Sequence, residues 1–142
     1  MDLAASSLPL LGTWTGLERL TAADGSTTTA RASLVLHLDV GGTAVVADYR
    51  SVRADGAELT AHGVLRAGGA DDAVTGWLFD SAGGPPAVLA GILDDAGLVL
   101  AGDGRRLRVR GEGDALALAV TGDAADGPRP LLDGRYRRLT GH

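Results

Sequence analysis

The stretch Gly12-Thr13-Trp14-Thr15-Gly16 opens the first segment whose pattern predicts a β-strand. An indole ring buries a large apolar area, and flanking glycines let a strand bend around it. This placement is typical of a residue that fills the narrow end of a closed antiparallel sheet. We therefore predict that Trp14 is a structural plug at the closed end of a small β-barrel.

Turn signals follow at intervals of about ten residues, mostly as Asp-Gly and Gly-Gly pairs, which supply the positive φ of tight hairpins. The predicted strands are Gly12–Thr21, Thr28–Leu38, Thr43–Arg53, Glu58–Arg66, Ala73–Asp80, Ala87–Leu93, Leu98–Ala101, Arg105–Gly111, Ala115–Gly122 and Gly134–Thr140. Short connections between short strands favour an all-β fold, a single antiparallel up-and-down barrel of about ten strands. We expect one domain over residues 1–142, with a helical cap segment at 1–11 and the barrel at 12–140.

Composition excludes several classes of protein. The net charge of −5 argues against nucleic acid as the main partner. The absence of cysteine excludes disulfides and thiolate metal sites. The start of the chain has no basic and apolar leader, and no apolar run approaches the length of a membrane span. We expect a cytoplasmic protein with no membrane partner.

Two predicted strands are apolar on both faces. In Ala73–Asp80, Leu78 lies on one face while Trp77 and Phe79 lie on the other, and Ala87–Leu93 has the same character. Such strands must be covered on both sides. The barrel interior covers one face, and a second copy of the chain is the simplest cover for the other. We predict a homodimer packed through these two strands.

Several motifs together resemble a known family. They are Gly12-Thr13-Trp14, Ala61-His62-Gly63, and the stretch Gly76-Trp77-Leu78-Phe79-Asp80-Ser81 followed by Gly83-Gly84. This pattern is similar to a bacterial family of lipocalin-like (calycin) β-barrels, distantly similar to nitrobindins and fatty-acid-binding proteins. The resemblance spans about Leu8 to Leu139. It implies an internal pocket for a small, mostly apolar molecule.

The resemblance also implies that an arginine of the last strand lies over the tryptophan in a cation–π contact. Arg138 is the first candidate and Arg137 the second. The chain departs from the haem-binding nitrobindins, because its last predicted strand contains no histidine and His142 is the terminal residue. We therefore expect no haem and no other cofactor.

His62 and Asp80 form the pair that suggests catalysis. One strand register puts His62 opposite Trp77, and a register one residue away puts it opposite Leu78 and diagonal to Asp80. A carboxylate beside an imidazole supports proton transfer. A cofactor-independent isomerase or cyclase using the same cavity is therefore the alternative function. In the structural reading, Asp80 caps its turn through an Asx-type bond and His62 points outward.

A ligand site needs a few polar groups in an apolar wall. The expected ligand-binding residues are Tyr49, His62, Trp77, Phe79, Tyr136 and Arg138, with Glu18 and Asp48 as further polar candidates.

The remaining charged patterns predict no separate site. In Arg105–Arg110 the arginines of one strand face are expected to pair with the protein's own carboxylates. His37 lies on a polar strand face, and no second ligand stands at metal-binding spacing. We expect no metal.

Overall fold

The computed structural model describes residues 2–139, and the predicted end of the barrel at Thr140 and the terminal His142 lie outside that range. Helix α1 spans Leu3–Ser7, and a 3₁₀ turn, Leu8–Leu10, follows it directly. A second 3₁₀ turn, Val40–Gly42, joins the second and third strands. The strands are β1 Gly12–Thr21, β2 Thr27–Asp39, β3 Ala44–Arg53, β4 Glu58–Ala67, β5 Ala73–Asp80, β6 Ala87–Asp94, β7 Gly97–Gly102, β8 Arg105–Glu112, β9 Ala115–Gly122 and β10 Arg129–Arg138.

Every neighbouring pair of strands is antiparallel, and β1 pairs with both β2 and β10. The sheet therefore closes into a ten-stranded barrel, which confirms the all-β prediction and the helical turn before it. Closure leaves no sheet edge exposed for pairing with another chain. Successive side chains point alternately into and out of the barrel.

Strand β10 begins five residues earlier than the pattern predicted, at Arg129 instead of Gly134. Two prolines, Pro128 and Pro130, made this stretch read as a break. Pro130 is accommodated because the β9–β10 register shifts between Pro130 and Leu132. An irregularity of this kind is where a strand tolerates proline, which has no N–H to donate.

Neither predicted register of β4 and β5 is the observed one. His62 pairs with Phe79, and Ala61 pairs with Asp80. The difference arises at the turn, where β4 continues to Ala67 and the N–H of Gly68 donates to the carbonyl of Ala73 at 2.6 Å. The turn is centred one residue later in the chain than predicted, and this moves the pairing by two residues from the first predicted register. A shift of two residues leaves each side chain on the face that the first register implied.

The base of the barrel is closed by Trp14, whose side chain is fully buried. Its indole N–H donates to the carbonyl of Leu10 at 3.0 Å, which ties the 3₁₀ turn to the ring. The guanidinium of Arg138 lies 4.3 Å from the ring centroid, so Arg138 and not Arg137 makes the cation–π contact. Arg138 also donates to the carbonyls of Leu11 and Gly113.

The glycines around Trp14 are needed for this arrangement. Gly12 has φ +133°, and a Cβ there would lie 2.5 Å from a terminal nitrogen of Arg138. A Cβ at Gly16 would overlap the backbone carbonyl of Arg135 on β10. Without a side chain, Gly12 leaves room for the Arg138 guanidinium, and Gly16 lets the backbone of β10 approach β1 closely.

Candidate functional site

The barrel encloses a cavity of about 350 Å³. It extends from Leu10 at the base to Leu59 and Leu131 at the opposite end, where the loops β1–β2, β3–β4, β5–β6, β7–β8 and β9–β10 lie. Most of its wall is apolar and comes from inward-facing residues of the middle strands, among them Leu34, Leu36, Val45, Ala47, Leu65, Leu89, Leu100, Leu118 and Val120. The interior cavity therefore has a mostly apolar wall.

Two charged residues border the cavity at the end of the barrel opposite Trp14. Arg105 begins β8, and its guanidinium lies 3.5 Å from the carboxylate of Asp103. Asp80 ends β5, and its carboxylate accepts a hydrogen bond from the N–H of Ala82 at 3.0 Å. The rim therefore carries charge of both signs, and each charge has a local partner.

A polar cluster lies inside the barrel around Glu18, which is only 1% exposed. The hydroxyl of Tyr49 donates to Oε1 of Glu18 at 2.6 Å. The hydroxyl of Tyr136 donates to Oε2 of the same carboxylate. Both oxygens are satisfied, as the burial of a charged group requires. We call Glu18, Tyr49 and Tyr136 the Glu18 cluster.

Gly134 makes room for this cluster. It lies directly opposite Glu18 in the β1–β10 register and on the inner face, two residues before Tyr136. A Cβ at Gly134 would come within 2.7 Å of Cζ of Tyr136 and closer still to its hydroxyl. The tyrosine ring therefore lies over a position without a side chain, and this lets its hydroxyl reach Glu18.

The environment keeps both tyrosines protonated. Burial raises the pKa of Tyr136 well above its ordinary value of about 10, and its hydrogen bond to Glu18 raises it further. Burial also raises the pKa of Tyr49, again with help from Glu18, while a hydrogen bond with Ser51 acts in the opposite direction. Both hydroxyls therefore stay hydrogen-bond donors through the neutral range.

Tyr49 is the member of the Glu18 cluster that lines the cavity. It sits on β3 opposite Leu34 of β2 and Ala61 of β4, both inward-facing. Tyr136 is 2% exposed and packs in the core. The sequence pattern marks Glu18, Tyr49 and Tyr136 as separate polar candidates, but it does not show that they meet or that Gly134 makes room for them. One signal was present, because Glu18 alternates in phase with Trp14.

Three residues expected at the ligand lie on the outer face. Trp77 and Phe79 alternate along β5 with the inward-facing Gly76 and Leu78, so their side chains point out of the barrel. His62 pairs with Phe79 and therefore lies on the same outer face. Phe79 is 47% exposed. Trp77 borders the cavity, but its strand position directs its ring outward. The interior wall of β5 is therefore made by smaller residues than the sequence pattern had indicated.

The structure pairs His62 with Asp48 instead of Asp80. Nδ1 of His62 lies 2.8 Å from the carboxylate of Asp48, and both side chains are half exposed on the outer surface. Asp80 instead makes the Asx-type contact with Ala82 described above. Within residues 2–139 no hydrogen bond joins His62 to Asp80, so the expected dyad is not formed.

The arginines of β8 correct another expectation. Within the described part of the chain, Arg106, Arg108 and Arg110 form no ion pair with a carboxylate within 4.0 Å. The reason lies in their neighbours, because Arg108 stands between Val99 of β7 and Ala119 of β9. The flanking strands offer these side chains alanine, valine and threonine, not acids.

In residues 2–139, no group of three or more His, Cys, Asp or Glu side chains is arranged to hold a metal ion. The same range contains no helix that is long and apolar enough to cross a membrane.

No family model and no curated protein sequence matches the chain. The crystal structure of Rv2717c from M. tuberculosis superposes with a TM-score of 0.77 at 18% identity, over 98% of this chain and 100% of that one. The structure of EF1p2_mFAP2b bound to DFHBI gives a TM-score of 0.53 at 13% identity, over 98% and 99%. At these identities, the likeness shows that the chain shares their barrel fold and shows nothing beyond the fold.

Proposed function

We propose that this protein binds a small, mostly apolar molecule inside the barrel, with the Tyr49 hydroxyl as a polar contact. The observation that carries the proposal is the apolar-walled cavity of about 350 Å³ with one tyrosine of the Glu18 cluster in its wall. A concave apolar site with few, well-placed polar groups is the usual form of a small-molecule site, and this volume is at the lower end of the usual range.

Two further points support binding. The inward-facing side chains do not fill the barrel. Three inward positions of β3 and β4 carry small residues, namely Ala47, Ala61 and Gly63. EF1p2_mFAP2b, a barrel of the same fold, is bound to DFHBI. In this proposal Tyr136 holds Glu18 and Tyr49 in place, and Arg138 serves the base of the barrel.

The proposal is tested by titrating the protein with Nile red, a neutral fluorescent apolar probe. We expect saturable binding with one site per chain. Ala47→Leu adds three carbon atoms to the cavity wall and should weaken binding by about tenfold, because the added volume competes with the probe. Ala115→Leu makes the same change at an exposed position of β9 and should leave binding unchanged.

Circular dichroism checks that both variants keep the fold. Absence of saturable binding would overturn the proposal. So would equal loss of binding in the two variants, because the probe would then not distinguish the interior from the surface.

We also propose that two copies pair through the outer faces of β5 and β6. Phe79, Val88 and Ile92 are about half exposed there, beside Trp77. The outward-facing positions from Thr75 to Phe79 and from Val88 to Ile92 carry no charged side chain. An uncharged apolar patch on an antiparallel strand pair suits a two-fold contact with a second copy.

Sedimentation equilibrium at micromolar concentration tests the pairing. We expect a dimer that Val88→Asp converts to a monomer. Leu17→Asp is the matched control, because Leu17 is 63% exposed on β1, away from the patch. A monomeric parent protein would contradict the proposal, as would equal dissociation by both substitutions.

A further inference from the structure

We infer that the cavity selects apolar ligands bearing a neutral hydrogen-bond donor, such as an alcohol, and rejects carboxylates. The inference rests on the proposed function, because it names the class of ligand that the same cavity takes. It is carried by the direction of the hydrogen bonds in the Glu18 cluster and by the position of Tyr49 in the cavity wall.

The first step concerns the protons of the cluster. An ionised carboxylate only accepts hydrogen bonds, and a tyrosine hydroxyl has a single proton to donate. Each oxygen of Glu18 takes the proton of one tyrosine. The proton of Tyr49 is thus directed away from the cavity, at 2.6 Å from Oε1. The hydroxyl oxygen of Tyr49 can offer a ligand only its lone pairs.

The second step concerns charge. Within the described residues, Glu18 has no basic side chain within 4.0 Å. Its negative charge is held by hydroxyl groups alone. A second carboxylate placed against Tyr49 would find an acceptor where it needs a donor, and a like charge behind that acceptor. In an apolar interior such repulsion is screened far less than in water.

The competing site for a carboxylate is the rim, where Arg105 borders the cavity. Its guanidinium lies 3.5 Å from Asp103, and Asp80 borders the same cavity. Two carboxylates thus already stand at the rim with this cation. A ligand carboxylate at Arg105 would have to compete with Asp103, whereas a ligand donor at Tyr49 would displace no charged group.

The test is displacement of Nile red by three ligands built on a ten-carbon chain: decanol, decyl methyl ether and decanoate, at about pH 8, where the carboxyl is ionised. Only decanol has a donor. We expect decanol to bind about tenfold tighter than the ether, and decanoate to bind weakest. Tyr49→Phe should bring decanol down to the level of the ether. Glu18→Gln should improve the binding of decanoate, because it removes the buried charge.

The outcomes separate the two proposals. Equal binding of the three ligands would overturn this inference while leaving the barrel a binding protein. Preferred binding of decanoate would overturn it too, and loss of that preference in Arg105→Gln would assign the head group to the rim. If neither Nile red nor any of the three ligands binds, the proposed function and this inference both fail.

Discussion

The Glu18 cluster makes the stability of the barrel fall steeply in alkali. The chain has two tyrosines, no cysteine and no lysine. Between about pH 9 and pH 12 the tyrosines are therefore its only titrating side chains. Both are hydrogen-bonded to Glu18, and both have a pKa raised by burial in the folded protein. Alkaline titration thus reports on this cluster alone.

The sign follows from proton linkage. Above about pH 10 the tyrosines of the unfolded chain lose their protons, while those of the folded protein keep theirs. The unfolded state then binds fewer protons, so the free energy of unfolding decreases as pH rises. Stability is fully present below about pH 10 and is lost progressively up to the raised pKa of each group.

The magnitude follows from the number of groups. Well above pH 10, each fully protected tyrosine removes about 1.4 kcal/mol of stability per pH unit. Between about pH 10 and pH 11 the unfolded tyrosines go from half to nearly full ionisation, so two protected groups remove about 2 kcal/mol, and less if Tyr49, which is partly exposed, is less protected. This is a large share of the stability of an ordinary domain of this size.

Urea unfolding at about pH 9, 10 and 11, with tyrosinate absorbance and circular dichroism recorded together, measures the effect. We expect tyrosinate to appear only as the protein unfolds, with both groups appearing together. Tyr49→Phe and Tyr136→Phe should each remove about half of the pH dependence. Tyrosinate forming in the folded protein near pH 10 would refute the reasoning, because it would show that a hydroxyl is free of Glu18.

Two further predictions concern the residues that hold the interior in place. Gly134→Ala should displace the Tyr136 ring and destabilise the barrel by about 1–3 kcal/mol. Gly69→Ala is the control and should change stability little, because Gly69 has open space around it. Urea unfolding compares the two variants, and equal effects would contradict the packing argument. Arg138→Met should cost about 1–3 kcal/mol and increase hydrogen exchange in residues 3–11, since it removes the cation–π contact and the bonds to backbone carbonyls. Arg137→Met is its neighbour on the opposite face, and similar losses in the two variants would argue against the plug.

The barrel could be predicted from the sequence because its signals are local. Asp-Gly and Gly-Gly pairs mark the hairpins, and alternation marks the strands between them. The predicted strand Ala73–Asp80 has the bounds of β5. The failures are local as well. Pro130 hid the start of β10, because a sequence does not show where the register of a strand shifts.

The ligand wall was harder to predict, because β5 is apolar on both faces. Alternation tells which residues share a face, but not which face is inside. Trp77 and Phe79 are the larger residues, and size suggested a core position. In the barrel, Gly76 and Leu78 take the inner face instead. The pairing of β5 with its neighbours, and not the size of its side chains, decides which of its faces is inside.

The Glu18 cluster could not be predicted as a unit, because it depends on the pairing of the two ends of the chain. In the β1–β10 register, Trp14 faces Arg138, Gly16 faces Tyr136, and Glu18 faces Gly134. Each of these β1–β10 pairs places a large side chain opposite a small one, or a ring opposite a cation. The pairing that closes the barrel therefore also forms the Trp14 plug and, four residues further along the inner face of β1, the Glu18 cluster. A one-residue slip of β10 would turn Tyr136 and Arg138 to the outer face, leaving Trp14 without its cation and Glu18 without one of its two donors.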